Sequence, residues 1–234
     1  MFEPVKVGFG AFIGRFYAQI TPTTRPLFEY VDRGLGKSVA WAPGRMVDAA
    51  EEMLSLWQRN DTDSTDTHPH DLPVILIGID KDYTPTGRDF TRQIADMEYV
   101  IFEEDPHERV YGVRTVAGDL RAQIAIIASD EPTARSLASQ FLLFLDATGN
   151  RWFGADYEFA GFTQRWPVQI ETPESPASVV QTENKNLTIL TVDITLKATV
   201  PLYSAPGDGE PNDGKSDPAG YPAVVEVAHE EATV

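Results

Sequence analysis

Six side chains with metal-ligating chemistry crowd one short stretch of the sequence: Asp61, Asp63, Asp66, His68, His70 and Asp71. Carboxylates and imidazoles of this kind suit hard and borderline metal ions. The spacing does not make a calcium loop, because Asp66 stands where that loop needs its glycine and Leu72 where it needs a bidentate glutamate. His68-Pro69-His70 is a poor chelate, since proline holds the residue before it extended. The same residues are accounted for by an exposed polar loop from Asp61 to Asp71, rich in turn formers. A second stretch, Gly34-Leu35-Gly36-Lys37-Ser38, resembles the end of a phosphate-binding loop. Val31 occupies the position of the required first glycine, however, and Pro43 delays any following helix, so it reads as a Gly-rich turn.

Nucleophilic and acid–base chemistry find no better footing. There is no Gly-x-Ser-x-Gly elbow, and the four histidines, His68, His70, His107 and His229, all fall in predicted loops, turns or the tail. Glu103-Glu104-Asp105 is a charge run at a strand end, where a solvated turn is the ordinary explanation. The absence of cysteine from the sequence excludes disulfides, thiolate metal sites and thiol nucleophiles. The aromatic segment from Trp152 to Trp166 could stack on bases or sugars, but only Arg151 and Arg165 accompany it, which disfavours nucleic acid and favours core or subunit-interface packing. No catalytic, cofactor-binding or metal-binding residue is assigned, and the expectation is a protein that is not an enzyme and carries no cofactor.

The formal net charge of −17 opposes nonspecific binding to phosphate backbones, which requires lysine and arginine. An acidic surface is compatible with a conduit through which DNA slides without sticking, and it also favours solubility. The longest strongly apolar run, Val74 to Ile79, is far shorter than the roughly 20 residues that cross a bilayer, and the N-terminus lacks a secretory pattern, so no membrane association is expected.

The elements that would position these groups follow from periodicity. Residues 1–36 mix apolar residues with Gly, Pro and Thr and are expected to form an extended arm. Pro43 opens a helical pattern carried by Met46, Val47, Ala50, Met53, Leu54 and Trp57 and ending near Asn60. Val74–Ile79 suits a strand covered on both faces, and Tyr99–Phe102 is a second strand. Val110–Val116 and Leu120–Ala128 flank Ala117-Gly118-Asp119 and predict a hairpin. Asp130 and Pro132 open the strongest helix, with Ala134, Leu137, Ala138, Phe141, Leu142 and Leu145 on one face and Gly149 past its end. Trp152–Glu171 is β-prone, and Leu187–Leu202 alternates as a long strand. The predicted fold class is α+β: a mainly antiparallel β-sheet with two or more packed amphipathic helices, between an extended N-terminal arm and a flexible acidic C-terminal tail. The expected organisation is an arm over 1–36, a core domain over 37–203, and a linker and C-terminal arm over 204–234.

Val110-Tyr111-Gly112-Val113-Arg114, the helix from Ala134 to Leu145, and the closing run from Leu187 to Tyr203 together resemble the neck, collar and tail-completion proteins of tailed, especially contractile-tailed, bacteriophages. The likeness spans residues 72–227 and lies in the overall pattern. It implies a structural virion subunit, assembled in the host cytoplasm, that forms a homo-oligomeric ring, six- or twelve-fold, between the head connector and the tail tube and sheath. DNA would be met only by passage through the lumen. A baseplate or host-binding adaptor of the same particle is the alternative, and a cytoplasmic enzyme is a third.

Beyond Tyr203 the chain turns to Gly, Pro, Asp and Ser, then regains β-character at Tyr221-Pro222-Ala223-Val224-Val225-Glu226-Val227. Such an ending suits an inter-subunit arm in which Tyr221, Val224, Val225 and Val227 dock on a neighbour, or an acidic tail that aids solubility. Because no motif assigns chemistry to the histidines, replacing His68, His70 and His107 together with alanine is expected to leave particle assembly and infectivity unchanged. Lost infectivity in a normally folded triple variant would show that one of them carries a function.

Overall fold

Val5, Phe9, Phe12, Ile13 and Phe16 recur at the spacing of one helical face, and in the computed structural model they are the buried side of helix α1 (Glu3–Tyr17). The structure describes residues 2–42, 72–80, 84–85, 97–105, 110–171, 176–181 and 187–204. Helix α2 (Arg25–Asp32) follows, opened by Thr24, whose hydroxyl accepts the Leu27 amide, and by a proline in its first turn. A single turn, α3 (Leu35–Ser38), leads into the first strand. The extended arm expected over 1–36 is therefore corrected: most of this segment is helical and packed. Gly8 lies where a Cβ would collide with the Gly154 carbonyl oxygen and the Phe153 ring, so glycine serves close helix–strand approach there, not an irregular backbone.

The described chain forms two compact units, one from Met1–Thr86, Ala117–Ala155 and Pro167–Thr199, the other from Gly87–Val116, Asp156–Trp166 and Val200–Val234. In the first, β1 (Val39–Trp41) runs parallel to β2 (Val74–Ile79), with Val39 opposite Ile75. Strand β2 is antiparallel to β5 (Val110–Ala128), pairing Val74 with Ile127 and Ile79 with Ala122. The two-residue β3 (Thr84–Pro85) also lies on β5. Strands β6 (Trp152–Phe159) and β7 (Phe162–Glu171) continue the sheet through β9 (Thr188–Ser204), in the order β1-β2-β5-β9-β7-β6, and β8 (Ser178–Val180) pairs with β9. Every pairing with a determined register is antiparallel except β1 with β2, so the α+β, antiparallel-rich class stands. Strand β2 is buried along nearly its whole length, as its unbroken apolar run requires, and Val74 and Leu76 join Ala125, Ile127 and Ile189 in one core cluster.

The hairpin expected around Ala117-Gly118-Asp119 is not formed, because β5 passes straight through it. Gly118 and Asp119 pair across to Pro85 and Thr84, so a neighbouring strand supplies the backbone partners that a turn would have supplied locally. Helix α4 (Glu131–Asp146) matches its expected span. The Asp130 carboxylate accepts the Thr133 amide at 2.8 Å, and Leu137, Ala138, Phe141 and Leu145 are buried, but Phe144, not the half-buried Leu142, completes the face. Phe16 meets Phe141 edge-on at 5.0 Å between centroids, and Phe12 meets Phe144 at 5.4 Å. A polar seam closes the same junction: the Thr21 amide donates to Gln140 Oε1 at 2.8 Å, Gln140 Nε2 donates to the Thr21 carbonyl at 2.9 Å, and the Thr24 and Thr133 hydroxyls meet at 2.7 Å.

In the second unit, β4 (Glu98–Ile101) pairs antiparallel with the start of β5, Tyr99 opposite Gly112. Phe102 packs between the rings of Tyr111, Phe162 and Tyr203 at 4.9, 5.4 and 5.6 Å. The β6–β7 hairpin turns at Ala160-Gly161, both with positive φ, the backbone of a primed turn whose twist matches the strands it joins. The helix expected from Pro43 to Asn60, the loop from Asp61 to Asp71 and the tail from 205 onward lie outside the described residues.

Phe141 is wholly buried and Leu143, two residues on, is 71% exposed. Phe141→Ala is expected to lower stability by about 3–5 kcal/mol through lost burial and a residual cavity, while Leu143→Ala stays within about 0.5 kcal/mol. Urea unfolding of both variants measures the contrast, and equal losses would place the buried face of α4 elsewhere.

Candidate functional site

All four histidines, the carboxylates from Asp61 to Asp71, and Tyr221, Val224, Val225 and Val227 lie outside the described residues. Among the described residues, no three His, Asp or Glu side chains come together as a metal site, and no helix is long and apolar enough to cross a membrane.

The stretch that resembles a phosphate-binding loop is used internally. Gly34 takes a positive φ of 88°, and the buried Ser38 hydroxyl donates to the Tyr30 carbonyl at 2.8 Å and accepts from Arg33 Nε at 3.0 Å. The Arg33 guanidinium also donates to the Pro73 carbonyl and lies over the Tyr30 ring. Serine and arginine thus join α2, α3 and the approach to β2. In Glu103-Glu104-Asp105 the two glutamates are exposed at a turn, whereas Asp105 is buried and receives the Tyr111 hydroxyl at a long 3.4 Å. The aromatic segment is divided between the two units. Phe153 packs on Phe9 and Phe12 in the first; in the second, Phe159 stacks on Tyr203, and Trp166 Nε1 donates to the Tyr203 hydroxyl at 2.8 Å. Phe153, Phe159, Trp166 and Tyr203 are each half-buried in these contacts.

Two surface features remain. One is a groove of about 470 Å³ beside the polar seam, walled by Thr21, Ser136, Gln140, Asn150 and the Phe16 and Phe144 rings, with exposed Leu143 at its margin. Its side chains are neutral hydroxyls, amides and apolar groups, suited to hydrogen bonding and offering no acid or base. The other is β4. Tyr99 is 71% exposed and Ile101 48%, two residues apart on one face, with Met97 exposed just before them. Among the described residues β4 pairs only with β5. The sequence marked this stretch as a strand but not as an outward one. Its apolar run reads the same whether the strand is interior or at a margin, and only the lone Glu98 hinted at the margin.

The electrostatic perturbations follow from burial and hydrogen bonding. Arg165 holds Asp156 in a two-pronged bond across the β6–β7 hairpin, at 2.6 and 2.8 Å, and that hydrogen bonding lowers the Asp156 pKa; both side chains stand in solvent. Burial raises the Tyr30 pKa well above its ordinary value, with the neighbouring Tyr17 adding to the rise and Arg33 opposing it. Burial alone pushes Tyr157 up to about 12.

No protein-family model matches this chain, and no curated protein matches it in sequence.

Among the described residues the Tyr157 hydroxyl is buried without a hydrogen-bond partner, so it is desolvated without compensation. Tyr157→Phe is therefore expected to leave stability unchanged at pH 7 or to raise it by up to about 1 kcal/mol. The pH dependence has a definite sign. A tyrosine whose folded pKa exceeds its unfolded one keeps its proton longer when folded, so its contribution is intact below about pH 10 and is lost as pH rises toward about 12. Thermal melts of both proteins between pH 7 and 11.5 test this: the alkaline fall in Tm should be shallower for Tyr157→Phe, and identical slopes would refute the assignment.

Proposed function

We propose that this chain is a structural subunit of a bacteriophage neck or tail-end ring, of collar, tail-terminator or tail-completion type, joining the head connector to the tail. The observation that carries the reading is β4, a strand that among the described residues pairs only with β5 and turns two large apolar side chains, Tyr99 and Ile101, to solvent. An isolated monomer is exposed to indiscriminate edge-to-edge pairing at such a strand, whereas an assembling subunit covers it with a neighbour. The antiparallel-rich sheet backed by helices agrees with the architecture that the sequence resemblance implies, and the net charge of −17 suits a lumen that DNA traverses without adhering. In this role the protein is a non-enzymatic virion component whose partners are copies of itself and the connector, tube and sheath proteins.

The alternative, a baseplate or host-binding adaptor, draws on the groove beside α4, whose hydroxyls and amides are the kind of groups that hydrogen-bond a sugar.

Light scattering and negative-stain imaging of the purified protein separate the two. Closed rings, or decoration of tail-tube ends when tubes are added, are expected. A monomer at every concentration that binds a host glycan, with binding lost on Gln140→Ala, would replace the ring reading with the adaptor.

A further inference from the structure

We infer that the outer sheet face of the second unit, centred on Tyr99, docks a second copy of this chain, and that the two copies meet about a two-fold axis. The inference goes beyond the ring reading, because a two-fold contact pairs copies and does not by itself close a ring.

The surface is built on three strands around Gly112. Tyr99 stands opposite Gly112 in the β4–β5 ladder, and the Ser204 hydroxyl of β9 donates to the Gly112 carbonyl oxygen at 3.4 Å. A Cβ on Gly112 would lie 2.6 Å from Ser204 Oγ and 2.7 Å from the Met97 sulfur, so side chains from both flanking strands close over the glycine and make the face continuous across β5. Alternation puts Ile101 on the same face as Tyr99, and Leu202 on the same face as Ser204. Met97, Tyr99, Ile101 and Leu202 are 38, 71, 48 and 42% exposed. Tyr111 of β5 and Tyr203 of β9 alternate to the other face, where Phe102 packs against both rings, so that face already has its core. An aromatic, a methionine and two aliphatic side chains grouped on the outside have the composition of an interface centre.

Charge selects the occupant. Arg114, exposed and two residues beyond Gly112, marks the Met97 end of this stripe, because β5 runs antiparallel to β4. Glu103 and Glu104, both exposed, form the turn just past Ile101 at the other end, closed by the Asp105 amide on the Phe102 carbonyl at 2.9 Å. The stripe thus carries a cation at one end, an apolar middle and two carboxylates at the other end. Its complement is the same stripe reversed. A two-fold axis lying across the strands at the level of Tyr99 sets β4 over β4 in opposite directions, Tyr99 against Tyr99, and brings Arg114 of each copy toward Glu103 and Glu104 of the other. A partner of uniform charge would instead meet repulsion at one end.

The chain has no cysteine, so introduced cysteines report on the contact in the full-length protein. Tyr99→Cys treated with a short bis-maleimide should give a covalent dimer in yield at least ~10-fold above Leu143→Cys, that margin being one decade of effective concentration; Leu143, in the first unit, is exposed to the same 71%. Met97→Cys mixed with Ile101→Cys keeps Tyr99 and should link equally well, since the two-fold sets these positions opposite each other. Arg114→Glu, and separately Glu103→Lys with Glu104→Lys, should weaken the dimer at least ~10-fold in sedimentation equilibrium at wild-type Tm, because like charges then meet at both ends. All three substitutions in one chain should restore it. Arg114→Gln, or Glu103→Gln with Glu104→Gln, replaces any reversal that lowers Tm, with a smaller loss in the same direction. Cross-linking no better than at Leu143 in both cysteine tests, or weakening that the combined chain does not reverse, would overturn the contact. Cross-linked dimers that never form rings would leave the contact standing and remove the ring reading; closed rings without cross-linking would do the reverse.

Discussion

Helix α1 can lie against its sheet only because nothing projects from position 8. Gly8 brings the helix backbone against Gly154 and Phe153, and that approach lets Phe9 and Phe12 reach the Phe153 ring while Phe12 and Phe16 reach Phe144 and Phe141 of α4. Six phenylalanines from two helices and one strand thus share one apolar volume in the first unit. Full burial of a phenylalanine is worth about 1.5–3 kcal/mol relative to exposure, so the five buried rings, with the half-buried Phe153, contribute substantially to that unit's packing. The Thr21–Gln140 and Thr24–Thr133 bonds set the register of the seam but contribute less, because each replaces hydrogen bonds to water.

Strand β5 imposes the complementary constraint. Nineteen consecutive residues adopt one extended conformation, and their backbone groups find partners strand by strand: β2 along the buried C-terminal part, β3 at Gly118 and Asp119, and β4 at the N-terminal part. The requirement that backbone amides and carbonyls be paired explains why the strand does not fold back on itself at Ala117-Gly118-Asp119, although its composition permits a turn. It also leaves β4, the short strand that covers the start of β5, with no second strand partner among the described residues.

The polar groups act mainly as joints. Ser38 and Arg33 fasten the α2–α3 corner, Asp130 and Thr24 cap helices, and Arg165 braces the β6–β7 hairpin from solvent. The exposed ion pairs, Arg25 with Glu29, Arg121 with Asp193, and Lys197 with Glu171, add little stability because water and salt screen them. Their value lies in fixing which strand or helical turn faces which.

Several elements were legible in the sequence because their signals are local. Asp130, Pro132 and the apolar spacing to Leu145 are enough to place α4, and the unbroken run at Val74–Ile79 and the β-branched alternation from Leu187 give β2 and β9. The α+β class follows from those elements, and the absence of cysteine and the charge of −17 are properties of the chain alone. Other features depended on tertiary partners. Glycines at 8, 10 and 14 suggest an irregular arm, and only the surface opposite them, Gly154 and Phe153 against Gly8, makes glycine the residue that lets a helix pack. Gly118 suggests a turn until Pro85 is found across from it. The outward face of β4 is likewise invisible locally, since Tyr99-Val100-Ile101 has the composition of a core strand, and whether such a strand is enclosed depends on the tertiary fold around it. Periodicity records how a segment alternates, but exposure is a property of what the rest of the chain places beside it.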